Sequence, residues 1–344
     1  MDFEQLAFDF VDTESGNKQV NRRSEVFDNE FLLQDRIQKI QQIVNKYGED
    51  NFCISFSGGK DSTVLHYLID LALPGNKIPR VYANTGIELN MVRDFVMKMQ
   101  KEDDRIVIIQ PSVPIKPMLE KEGYPFKSKE HSQNYVEYVL YGIDKKRIQR
   151  YLGKYRRPTD TDETFSRYQC PKILRYQFEE DYLKQGLKIS DKCCFRLKEE
   201  PFHKWQDENK KPYAVLGIMK AEGGRRKNAK CLAFKSKGRM NFQPLVVVNK
   251  DWEEWFIQEY KVKICDIYKP PYGFERTGCK GCPFAYDLQE QLETLERFFP
   301  AERKQCEIIW GPVYEEYRRL GYRLRKNGED QLEGQMNIFE LSEE

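Results

Sequence analysis

One nonapeptide constrains this chain more than any other stretch: Ser55-Phe56-Ser57-Gly58-Gly59-Lys60-Asp61-Ser62-Thr63. It follows from the apolar run FCISF (52–56) and precedes Val64, Leu65, Leu68, Ile69 and Ala72, which recur at helical spacing until Pro74. Strand, glycine-rich turn and helix therefore succeed one another directly. Gly58 and Gly59 reach backbone angles closed to other residues and let main-chain N–H groups approach an anion. Ser57 and Ser62 add hydroxyl donors, and the following helix presents its positive end, so the loop is built to cradle phosphate. The spacing is not that of a Walker loop, which places four residues between its first glycine and Gly-Lys-[Ser/Thr].

Strands and helices go on alternating. RVYAN (80–84) reads as a second strand, Met91, Val92, Phe95, Val96 and Met99 mark a helix, and RIVIIQ (105–110) reads as a third strand. That order implies an α/β fold: a doubly wound, mostly parallel sheet with helical additions and ligands at the carboxyl ends of the strands. Further helices are expected at 131–152, 172–186, 250–262, 287–298 and 301–320, and a late strand at 213–219 (YAVLGIM). An acidic segment (1–28) precedes a nucleotide-binding domain (29–285) that carries a helical insertion near 112–190. C-terminal helices (286–328) and an acidic tail (329–344) follow.

Ser57–Ser62 closely resembles the pyrophosphate-binding loop of the adenine-nucleotide α-hydrolase, or PP-loop, superfamily, whose fold is a Rossmann-like doubly wound sheet. NTGIE (84–88) stands where phosphosulfate reductases carry an Asp-Thr-Gly turn and an acidic residue, with Asn84 replacing the Asp. GIMKAEGGRR (217–226) is similar to that family's Gly-Ile-Arg-Arg-x-Glu-Ser-x-x-Arg, with Met219 in place of an Arg and Gly223 in place of a Ser. The resemblance implies nucleotide contacts from Ser55, Ser57, Gly58, Gly59, Lys60, Asp61, Ser62, Asn84, Thr85, Gly86, Glu88, Gly217, Lys220, Glu222, Arg225 and Arg226. Lys60, Asp61 and Arg226 are the residues expected to act on the reacting phosphates, with a Mg²⁺ to share the charge.

Nine cysteines make an odd set, and the acidic start MDFEQLAFDFVDTE lacks the basic and apolar regions of a signal peptide, so a reducing, cytoplasmic location and no membrane association are expected. Cys53, Cys170, Cys231, Cys265 and Cys306 stand alone. Cys193-Cys194 and Cys279-Lys280-Gly281-Cys282 form a pair of pairs, and four thiolates suit either a tetrahedral zinc or an iron–sulfur cube. Adjacent cysteines on an extended backbone point apart, which favours a cluster offering several irons. The same arrangement resembles the 4Fe-4S site of adenylylsulfate reductases, with Lys198, Arg276 and Lys280 near enough in sequence to offset cluster charge.

Sulfonucleotide reductases attack with a cysteine in a C-terminal Glu-Cys-Gly-Leu-His segment, which this chain lacks. Its last cysteine, Cys306, falls in an expected helix. The better match is the ATP-using branch, including the nucleotide-hydrolysing subunit of DNA-phosphorothioation systems and tRNA-thiolating enzymes. Two alternatives stay open: reduction of phosphoadenylylsulfate (PAPS) or adenylylsulfate, and a non-catalytic subunit that binds nucleotide and nucleic acid. A sulfur-donor or electron-donor protein is an expected partner.

The near-balance of 57 Lys+Arg against 55 Asp+Glu hides polarised segments. Residues 143–157 carry seven bases and one acid, and as a helix with Tyr151 and Tyr155 interleaved they would suit a nucleic-acid backbone. In the acidic tail, Gln335, Ile338 and Phe339 match the Gln-x-x-Leu-Phe type of peptide that docks on bacterial sliding clamps.

Overall fold

Short apolar runs become the strands β1 (Phe52–Ser55), β2 (Arg80–Ala83), β3 (Ile106–Ile109), β4 (Tyr213–Val215), β5 (Leu232–Phe234) and β6 (Met240–Phe242) in the computed structural model, which describes residues 22–326. Outside the described residues lie most of the acidic N-terminal segment and the tail with Gln335, Ile338 and Phe339; the side chains of residues 22–27 and 224–225 are likewise not described. The strands form one sheet in the order β3-β2-β1-β4-β6-β5, parallel throughout except for β5 against β6. Ile54 pairs with Arg80 on one side of β1 and with Val215 on the other. Because β2 and β3 run outward on one side of β1 and β4 on the other, the strand order reverses at β1, and the crevice at its carboxyl end is the natural ligand site of such a sheet.

The long helix α1 (Arg22–Tyr47) packs beside α2 (Lys60–Ala72), burying Leu33, Ile40 and Val44 with Val64, Leu68 and the sheet residues Phe52 and Ile54. Next comes α3 (Asn90–Glu102), whose Val92 and Val96 are buried. One ion network staples α2 to the sheet: Asp70 accepts from Arg80 at 2.6 Å and from Arg105 at 2.7 Å, and Asp103 accepts from Arg105 at 2.8 Å. His66 and the two aspartates form a group of metal-ligating types, but both carboxylates are already held by arginines, and burial together with the Arg80 charge lowers His66 to about 4. We read this group as structural.

Between β3 and β4 the chain forms α4 (Ile115–Glu122), α5 (Lys129–Tyr141), α6 (Lys146–Tyr151), α7 (Asp162–Tyr168) and α8 (Glu180–Gln185). The expected continuous helix 131–152 is broken because Gly142, at φ 64°, ends α5. The helix expected over 172–186 is likewise split into a 3₁₀ segment (Lys172–Phe178) and α8. The basic stretch 143–157 is therefore not one helix, and its Ile148 and Tyr151 are buried. Several of its bases serve the fold: Arg150 binds Asp160 at 2.5 Å and stacks on Tyr168, Arg147 binds Glu137 at 2.9 Å, and Arg156 binds Asp162 at 2.6 Å.

The cysteine pair brings a second correction. Cys193 and Cys194 are helical, in α9 (Lys192–Cys194), which runs through a π-turn (Phe195–Glu199) straight into α10 (Glu200–Glu208). π-turns inside α-helices often mark functional positions, and this one turns Lys198 toward the cysteines. The late strand stops at Val215, short of the expected 219, since the chain leaves the sheet to form the wall of the ligand crevice. Helices α11 (Lys250–Glu259), α12 (Leu288–Phe298) and α13 (Pro300–Leu320) complete the described chain. Among the described residues no helix is long and apolar enough to cross a membrane.

Candidate functional site

The loop after β1 is pre-shaped by its own hydroxyls. Ser57 N–H donates to Ser62 Oγ at 3.2 Å, Gly59 N–H to Ser57 Oγ at 3.2 Å, and the Ser62 and Thr63 hydroxyls both donate to the Gly59 carbonyl at 2.9 Å. Gly58 sits at φ +70°, and a Cβ there would lie 2.4 Å from Val96 Cγ2, so both backbone angle and space demand glycine. Gly58 is packed against Val92 and Val96 of α3 and is not among the residues walling the two cavities at this edge of the sheet. Across the loop, the Tyr268 hydroxyl accepts from Lys60 N–H at 3.1 Å and is hydrogen-bonded to Thr277 Oγ1.

Two adjoining cavities open at this carboxyl edge and share Ser55, Ser57, Leu216 and Thr277. The smaller, about 270 Å³, is walled by Gly59, Lys60, Asp61, Ser62, Gly217, Arg226 and Arg276. Its three cations, Lys60, Arg226 and Arg276, and the positive end of α2 make it an anion site. The larger, about 570 Å³, is walled by Phe56, Tyr82, Ala83 and Val92 with Glu88, Lys198, His203 and Arg239 among its polar groups, and has the size and mixed character of a nucleoside pocket. Of the residues anticipated from sequence, Asn84, Thr85, Gly86 and Lys220 line neither cavity. Thr85 instead donates through N–H and Oγ1 to the Glu88 carboxylate, holding the 84–88 turn. Met219, which stands at the family's Arg position, is 2% exposed and packs in the core. Glu222 ion-pairs with both Arg226 and Arg276, the latter at 2.8 Å, and so aims the two guanidinium groups of the anion cavity.

Glu253 escaped the sequence reading. It lies on α11 between buried Trp252 and Phe256, 1% exposed, with its carboxylate 3.5 Å from Lys60 Nζ. A charged residue on the apolar face of an amphipathic helix was the available signal. Burial, then the neighbouring Asp61, push Glu253 from 4.5 up to about 7 against the pull of Lys60. Since the folded state holds this proton more tightly than the unfolded chain, stability falls as pH rises from 4.5 to about 7 and stays low above it. Glu253→Gln mimics the protonated acid and is expected to flatten that slope, gaining up to about 3 kcal/mol over wild type at pH 8. Urea unfolding at pH 5, 6, 7 and 8 checks this, and parallel curves for the two proteins would refute it.

Helix α9 and the Cys279–Cys282 turn bring the four expected thiols together across 84 intervening residues. Each sulfur lies within electrostatic reach of others in the set: Cys193 is raised by Cys194, burial, Cys282 and Cys279, whereas Cys194 is lowered by its bond with Cys193 and by Lys129 and Lys198. Lys198 faces Cys279, Cys194, Cys282 and Glu88 together, holding its proton more tightly than usual, and also lines the larger cavity. Among the described residues no three of these sulfurs lie within 4.8 Å of one another. Four thiolates gathered from two turns are the donor set of either a tetrahedral zinc or an iron–sulfur cluster. Backbone bonds tie this turn to the nucleotide side: Glu88 bridges Cys279, and Lys280 N–H donates to the Ile87 carbonyl at 2.8 Å.

The family model described as "Phosphoadenosine phosphosulfate reductase domain" matches residues 51–154 and 158–285. An uncharacterised protein of Methanocaldococcus jannaschii is 28% identical over 170 residues, 45% of this chain and 38% of that protein, so the match spans well under half of the relative's length. Among solved structures, phosphoadenylyl-sulfate reductase from Candida auris is 13% identical with TM-score 0.41, covering 77% of this chain and 98% of that one. Candida glabrata FMN adenylyltransferase with FAD and pyrophosphate is 14% identical with TM-score 0.45, covering 76% and 66%. The U34-tRNA thiolase of Methanococcus maripaludis with its [4Fe-4S] cluster is 15% identical with TM-score 0.36, covering 89% and 86%.

Proposed function

The chain belongs to the phosphoadenosine phosphosulfate reductase domain family, and on that premise we propose that it binds ATP at the 57–62 loop and cleaves the bond between its α- and β-phosphates, activating an acceptor for sulfur transfer or another nucleic-acid modification. The observation that carries the choice of ATP over a sulfonucleotide is the state of the other five cysteines. Cys53, Cys170, Cys265 and Cys306 are at most 2% exposed and Cys231 is half-buried, and burial raises the thiols of Cys53 and Cys306 to about 12 and Cys170 to about 11 and also raises Cys231 and Cys265. None of the five offers the accessible thiolate that attack on a sulfonucleotide needs.

In this reading the N-terminal end of α2, Lys60, Arg226 and Arg276 hold the triphosphate, while the larger cavity takes the nucleoside. An acceptor oxygen attacks the α-phosphorus. As that bond forms, the bond from α-phosphorus to the bridging oxygen breaks, and pyrophosphate leaves with the electron pair, its growing charge met by cations already in place. Asp61 on the cavity wall and Glu253, whose Oε1 is buried without a partner among the described residues, are the carboxylates that would hold a Mg²⁺ to neutralise leaving-group charge. Cys193, Cys194, Cys279 and Cys282 would hold a 4Fe-4S cluster, which supplies a sulfur-carrying or electron-carrying centre beside the nucleotide. The exposed bases Lys145, Lys146 and Lys154 are the part of the 143–157 segment best able to meet a polyanionic acceptor.

Anaerobically purified protein should release pyrophosphate from ATP and produce no sulfite from phosphoadenylylsulfate with thioredoxin. Sulfite would establish the reductase reading instead, and neither product would establish a binding subunit.

A further inference from the structure

Helix α13 lies beyond the residues matched by the family, yet one of its faces grips the Cys279–Cys282 turn. Trp310 Nε1 donates to the Lys280 carbonyl at 3.0 Å, the Tyr314 hydroxyl to the Gly281 carbonyl, and the Tyr317 hydroxyl to the Pro283 carbonyl at 2.9 Å. Lys280 Nζ donates to Glu302 at 3.1 Å and to Gln305 at 2.8 Å. Residues 302, 306, 310, 314 and 317 recur every three or four positions, which puts them on one helix face, and each is at most 4% exposed. Gly281 fits under this face only because it lacks a Cβ, which would lie 2.8 Å from Cys306 Sγ.

The same Glu302 oxygen that accepts from Lys280 also accepts from the backbone N–H of Asn90, the first residue of α3, at 3.0 Å. One buried carboxylate thus caps the helix that follows the 84–88 turn and anchors the cysteine turn. A buried ion pair adds little net stability compared with apolar packing, so its value lies in fixing one arrangement of the parts it joins. Here those parts are the wall of the larger cavity, through Glu88, and two of the four thiols.

We infer that Glu302, acting through Lys280 and the Asn90 N–H, is a positioning residue that couples occupancy of the nucleotide cavity to the geometry of the Cys279–Cys282 turn, a role that rests on the nucleotide reading above. The turn tightens when nucleotide fills the cavity, and it does so whether or not the thiols carry a metal.

Amide hydrogen exchange of the 279–286 peptide in the full chain tests this, with and without α,β-methylene-ATP, whose binding is measured separately by calorimetry. In wild type the analogue should slow exchange at least about fivefold, at the lower end of ordinary site-to-site coupling. In Glu302→Gln, and in Lys280→Met, which cuts the link from the loop side, the analogue should still bind while slowing exchange less than about twofold. Wild-type slowing in either folded variant overturns the coupling, as does binding to wild type without any slowing. Failure of wild type to bind the analogue at all would instead sink the nucleotide reading, and the coupling with it.

Discussion

Lys60→Ala is expected to lower the rate of pyrophosphate release by about 10²–10³-fold, the cost of removing one well-placed cation from a developing phosphate charge, equivalent to about 3–4 kcal/mol of barrier. The protein should tolerate the change. Glu253 already holds its proton up to about 7 despite the lysine, and without Lys60 it stays protonated through neutral pH rather than standing as a buried uncompensated charge. Circular dichroism and unfolding midpoint should therefore move little while turnover collapses. Gly58→Ala should behave oppositely: at φ +70°, with Val96 Cγ2 2.4 Å from the new Cβ, it must displace α3 and so lose stability and nucleotide binding together. Equal loss of stability in both variants would show that Lys60 has a structural role only.

The second large effect concerns the cage. Cys279→Ser is expected to remove most bound iron and the broad absorbance near 400 nm from anaerobically purified protein, because a hydroxyl is a poor ligand for iron–sulfur chemistry. Cys53→Ser is the matched control, since Cys53 is equally free of any disulfide but lies inside β1 with its thiol directed at the Lys211 and Tyr213 carbonyls. It should retain wild-type iron. Zinc in place of iron in the wild-type protein, or full iron in Cys279→Ser, would remove the cluster from the account.

Much of this was legible in the residues themselves. The stretch from the apolar run 52–56 through the glycine turn to the helical spacing of 64–72 is continuous in sequence, so β1, the loop and α2 are read directly, and with the next two strands they impose the parallel sheet. What escaped depends on contacts distant in sequence. Glu253 meets Lys60 across nearly two hundred residues, and Arg276 reaches the anion cavity from the loop before Cys279, neither of which local periodicity reports. Neighbouring thiols of a strand diverge, which favours an extended reading of the cysteine pair; the pair is instead helical and followed by a π-turn, of which one-dimensional pattern gives no sign. The 143–157 stretch differs for a related reason: its charge suggests an open face, while Arg150 turns inward to Asp160 and Tyr151 into the hydrophobic core.

The most direct test of the central claim is phosphorus NMR of ATP turned over by the anaerobic full-length chain with Mg²⁺ in ¹⁸O-enriched water. Attack at the α-phosphorus predicts pyrophosphate free of label and, where water serves as the acceptor, AMP carrying the ¹⁸O. ADP with labelled inorganic phosphate would contradict the account, because it would place the reaction at the γ-phosphate and not where the Lys60, Arg226 and Arg276 cavity receives a leaving pyrophosphate.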